Sequence, residues 1–153
     1  MQTHDTSTRA GREARIRLHP CEHAEALALA RRLQRSDPDS AADDRRALLL
    51  FWYGSGASRL RTEENVLLAA WRRHGGEDHP LAAAITAEHE RLAREVEAIA
   101  ADSRSLARRL RRAGHGLTAL VLRQDRELRS VVEHTVPAEE LQEVGATLRT
   151  LHR

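Results

Sequence analysis

Apolar residues recur every third or fourth position through four long stretches of this chain, with little strict alternation anywhere. That period lines up one face of an α-helix, whereas a half-buried strand needs alternation. The first stretch runs from about Pro20 to Arg35 and presents Ala26, Leu27, Ala30 and Leu33, with His23 extending the same face. The second runs from about Ala41 to Arg73, and Asp43 and Asp44 in its first turn suit the positive end of the helix dipole. The third, from about Leu81 to Ala101, turns Leu81, Ile85, Leu92, Val96 and Ile99 inward, with His89 one turn after Ile85. The fourth follows a break at "DS" (102 and 103) and runs to about His134. Its stripe is Leu117, Leu120, Val121, Leu128, Val131 and Val132, and Gln124 falls inside it. Pro137 opens a short fifth helix carrying Leu141, Val144, Leu148 and Leu151.

Composition supports the same fold class. Hydrophobic residues make up 41% of the chain but aromatic ones only 3%, so the core must be built from Leu, Ala and Val. Leu and Ala are strong helix formers, and the scarcity of β-branched residues argues against a sheet. The links are short: "SDPDS" ends the first helix at Pro38, and "RHGGEDHP" places Pro80 where a first helical residue belongs. The expectation is an all-α chain, an up-down-up-down four-helix bundle with a short C-terminal fifth helix. Residues 1–14 are polar and are expected to be a disordered N-terminal segment, with 15–153 forming a single helical domain.

Charge and cysteine usage narrow the function classes. The 25 basic and 23 acidic residues leave a net charge of +2, which gives no strong pull toward nucleic acid or membranes. All the basic residues are Arg, which reads as GC-rich coding rather than as a binding signature. "RRLRRAGHG" is locally basic but has no interleaved aromatics, so it reads as a solvated helix face. Cys21 is the sole cysteine, which excludes an intrachain disulfide and fits a reducing compartment. The N-terminus lacks the apolar run of a signal peptide, and the longest apolar run, "ALLLFWY", is too short to cross a bilayer. The expectation is a cytoplasmic monomer or homodimer with no nucleic-acid or membrane partner.

The interior polar residues are the chemically informative part. Projecting the helix faces inward brings together His23, Arg59, Glu63, His89 and Gln124. Glu63 shares a face with Leu60 and Leu67, and a lone buried carboxylate costs more than one apolar side chain returns. It must meet a cation, a metal or Arg59 four residues earlier on the same face, and the expectation is a core ion pair of Arg59 with Glu63 to which Gln124 can hydrogen-bond. Glu64 and Asp125 lie one position off the inner faces and read as solvated, although Asp125 is able to rotate inward in place of Gln124. "GSG" (54 to 56) is either a kink or room for a small ligand beside the polar cluster. His74, His79, His115 and His134 lie at helix ends or loops without ligand spacing and read as surface residues. Cys21, two residues before His23, carries only a weak nucleophile signal.

Four stretches carry a resemblance to a known family: "EHAEALALARRL", "RTEENVLLAAW", "AEHERL" and "GHGLTALVLRQDRELRSVVEHTVPAEEL". In order and spacing they resemble the helices of the hemerythrin-like, or HHE cation-binding, family, from about Cys21 to Leu151. The resemblance implies a four-helix bundle whose core holds two non-haem irons. It implies ligands from a first-helix His, a second-helix His four before a Glu, a third-helix His, and a fourth-helix His four before an acid. His23, Glu63 and His89 stand at such positions. Arg59 stands where the second-helix His belongs, Leu120 where the fourth-helix His belongs, and Gln124 where its carboxylate belongs, with Asp125 beside it.

The site is therefore a depleted version of what the family implies. A di-iron centre needs about five to seven N and O donors, Leu120 offers none, and a guanidinium repels a metal dication. The leading expectation is a divergent member without the di-iron centre and without a cofactor. It would be a binding or regulatory module with a polar core pocket, taking a small ligand or a partner protein. One alternative is a protein with one non-haem iron, held by His23, Glu63 and His89, that binds or senses O2 or NO. Another is a metal-free enzyme acting on a small molecule, with Glu63 or His89 as base.

Overall fold

The computed structural model describes residues 20–151, with side chains from His23 onward. The expected N-terminal segment and the side chain of Cys21 lie outside the described residues. Helix α1 spans Pro20–Gln34, α2 Ala41–Tyr53 and α3 Gly56–Trp71. A π-helical segment, Arg72–Gly76, follows, then α4 over Pro80–Ala101 and α5 over Leu106–Leu122. A second π-helical turn, Arg123–Leu128, continues α5 into α6 (Arg129–Thr135), and α7 spans Ala138–Leu151. No strand occurs among the described residues. The all-helical expectation holds.

The stretch expected to be one helix from 41 to 73 is two. Gly54 still bonds back to Leu50 O at 3.0 Å, but its ψ of −137° leaves the helix. The ring of Phe51 packs onto Gly56, where a Cβ would sit 2.3 Å from a ring carbon. The space that Gly56 leaves is thus taken up by an aromatic ring. At the other end of α3, Gly75 adopts φ +94°, a left-handed conformation that a side chain would strain, and this turns the chain toward α4. His79 then caps α4, its Nδ1 accepting from the Leu81 N–H at 3.1 Å, and its ring lies against Trp71.

The core falls into two apolar clusters. One holds Leu67, Leu68, Trp71 and Ile85 together with Leu128, Val132 and the α7 residues Leu141, Val144 and Leu148. The other holds Ala26, Ala30 and Leu33 of α1 with Leu48, Leu60, Leu92, Val96, Ile99, Leu110 and Leu117. Helix α7 is fastened over the first cluster by Glu140, which accepts from Arg73 Nε at 2.7 Å and pairs with His74. These bonds from His74 and Arg73 hold the Glu140 carboxyl below the usual carboxylate range. His74, expected to be a surface residue, instead belongs to this fastening.

A buried acid anchors the start of α2. Asp44 accepts from Arg32 Nε and from the Ser40 hydroxyl, each at 2.7 Å. Burial raises its pKa, but the Ser40 and Arg32 bonds, the Ser36 hydroxyl and the Arg32 charge together outweigh burial, and the group lies below its ordinary value. A carboxyl depressed in the folded state adds stability above its unfolded pKa and loses it as pH falls through the folded value. Asp44→Ala should cost about 1–2 kcal/mol at pH 7, allowing for the half-exposed Arg32. In urea unfolding, the gap between wild type and variant should close as pH drops below the usual carboxyl range.

Candidate functional site

A layer of polar side chains lies between the two apolar clusters. Along α3 it falls between Leu60 and Leu67, along α4 between Ile85 and Leu92, and along the α5–α6 helix between Val121 and Leu128. Glu63, Glu64, His89 and Gln124 occupy it, each no more than 4% exposed. His23, half-buried near the start of α1, closes it from the side.

The layer is organised as two imidazole–carboxylate pairs. His23 Nε2 lies 3.1 Å from Glu63 Oε2. His89 Nδ1 lies 2.8 Å from Glu64 Oε2, and the same oxygen accepts from Gln124 Nε2 at 3.0 Å. Gln124 Nε2 also reaches Leu60 O at 3.4 Å, which ties the α5–α6 helix to the backbone of α3. The other end of that amide, Gln124 Oε1, is buried without a hydrogen-bond partner among the described residues. Trp52 covers His89, with ring centroids 6.0 Å apart.

Gln124 lies within the π-helical turn. The turn widens the backbone across Arg123–Leu128, and Gln124, Leu128 and Val132, at intervals of four, are all buried. Asp125 does not replace it. Its side chain is 40% exposed at the rim, 3.3 Å from Arg129 and 3.8 Å from His23 Nδ1.

Placement of the expected residues is therefore mixed. His23, Glu63, His89 and Gln124 meet in one layer, and Arg59 stands half-buried one turn before Glu63 on α3. Leu120 belongs to the apolar cluster on the α1 side. Glu64, expected to be solvated, is instead buried and is the hub of the second pair. The signal for it was available: Glu64 lies four residues after Leu60 and four before Leu68, both buried. Helix α3 buries a stripe two residues wide, because it is covered on more than one side, and both carboxylates fall within it.

Among the described residues, no three His, Cys, Asp or Glu side chains converge as a metal-binding group. His23 and His89 each face a different carboxylate instead. What such pairs can do chemically is hold a proton between imidazole and carboxylate in a place shielded from water.

No family model, curated protein or solved structure matches this chain.

Proposed function

We propose that the chain is a divergent hemerythrin-like four-helix bundle whose interior layer is closed by its own side chains instead of by two irons. In this reading it works as a binding or regulatory module and not as an O2 carrier. One observation carries it: both carboxylates of the interior layer already have imidazole partners, His23 on Glu63 and His89 on Glu64. The donor set does not fit a di-iron centre. Leu120 carries no donor atom, Gln124 offers only a neutral oxygen, and Arg59 brings a fixed positive charge beside Glu63. The ion pair of Arg59 with Glu63, four residues apart on α3, belongs to this proposal.

The buried orphan Gln124 Oε1 favours one further reading. A single non-haem iron held by His23, Glu63 and His89 would require these side chains to turn from their present partners, and it would bring a hydrogen-bonding ligand into the layer beside that oxygen. Elemental analysis of purified protein, with an absorption spectrum after exposure to air, separates the two. The expected result is well under one iron per chain and no oxo-bridged di-iron absorption. Two irons per chain would sink the proposal. About one iron per chain, lost in His89→Ala, would establish the single-iron reading in its place.

A further inference from the structure

Among the described residues, the two large apolar side chains most exposed to water are Leu50 at 71% and Tyr53 at 63%, and both belong to α2. Ala41, Asp44 and Leu48 turn α2 inward. The opposite side of the helix carries Asp43, Arg46, Leu50 and Tyr53, all exposed. Their spacing of three, four and three residues sets them in one seam along the helix, the spacing by which two helices pack side by side. Leu50 stands as a ridge between two open hollows. One, of about 480 Å³, is lined by Leu29 and Phe51, and the other, of about 410 Å³, by Ala42 and Leu49. Scattered exposed apolar residues are ordinary, but a contiguous patch rimmed by charge marks a contact surface.

The charges of the seam choose its occupant. Laid parallel and in register on a second copy, the seam opposes Asp43 to Asp43 and Arg46 to Arg46, and like charges repel. Laid antiparallel, about a two-fold axis level with Leu48, it opposes Asp43 to Tyr53 of the second copy and Arg46 to Leu50 of the second copy. The Tyr53 hydroxyl then donates to the Asp43 carboxylate, and the apolar stem of Arg46 covers Leu50 while its guanidinium stays in water. A patch that complements itself under a two-fold axis is what a closed dimer of identical chains requires. We infer that the chain pairs with a second copy of itself, antiparallel, through the outer face of α2. The contact lies on the side of α2 opposite Leu48 and does not depend on the function proposed for the interior layer. A seam of this length buries less than the roughly 1,200 Å² of a stable complex, so the dimer forms and parts with concentration.

The test is sedimentation equilibrium of the full chain from about 10 µM to 1 mM, the range in which weak association shows. The average mass should climb from that of one chain toward that of two. Leu50→Glu should weaken the association by about tenfold or more, as expected for an apolar anchor, and circular dichroism should show the helices unchanged because the side chain is exposed. Leu151→Glu, at the exposed apolar end of α7, should leave the association as it is. Oxidation in a Cys21→Ser background reads the direction of pairing. Asp43→Cys together with Tyr53→Cys should link two chains, and either change alone should link far fewer. A wild type that stays a single chain at the top concentration would overturn the proposal. So would association indifferent to Leu50→Glu, masses beyond two chains, or single-cysteine variants that link as well as the double.

Discussion

His89→Leu should destabilise the protein by about 3 kcal/mol, because it leaves the Glu64 carboxylate buried with Gln124 as its remaining side-chain donor. Leucine is close to histidine in volume, so the loss reads chiefly as the cost of a carboxylate left without its imidazole partner. Changing both residues, His89→Leu with Glu64→Met, should recover most of that loss, since an apolar pair of similar volume needs no partner. Urea unfolding of the two single variants and the double measures the coupling directly. A coupling near zero would mean that the pair does not contribute as a unit, and the layer would then be held by its surroundings.

Two glycines on α5 should respond in opposite directions. At Gly114 a Cβ would lie 2.7 Å from Ala30 O and 2.9 Å from Gln34 N, both backbone atoms of α1. Backbone cannot give way as a side-chain tip can, so α1 and α5 must separate. Gly114→Val should therefore cost about 2–3 kcal/mol, as expected for overpacking. It would also disturb the bonds from Gln34 Nε2 to Gly114 O and Thr118 Oγ1, at 3.2 and 2.8 Å. Gly116→Ala meets only ordinary contact and should stabilise the helix by about 0.5–1 kcal/mol. Thermal unfolding of both variants checks the sign of each change, and a neutral Gly114→Val would show that the two helices are not held at this separation.

The helices were legible because apolar period and short links agree, and Gln124 was legible because it interrupts an otherwise apolar stripe. The break at Gly54 was legible only as one of two readings of "GSG", because apolar residues continue on both sides of it while the backbone between them leaves the helix. Glu64 was missed for a geometric reason. A helix face one residue wide excludes it, and the sequence does not say how many neighbours cover α3. The π-helical turn at Arg123–Leu128 leaves no compositional trace either. Paired contacts such as His89 with Glu64 depend on the rotation of each helix, which periodicity fixes only to within a residue.

The division of the core carries a mechanical consequence. Apolar side chains cohere within each cluster, but across the polar layer the coupling is a few directional bonds. Helices α3 and α4, together with the α5–α6 helix, run through both clusters and act as rods that join them. Load passes from one cluster to the other along these rods, and the π-helical turn in one of them lies at the level of the layer. The molecule is built as two stiff ends in series with a softer joint, and the joint is where its buried charges lie.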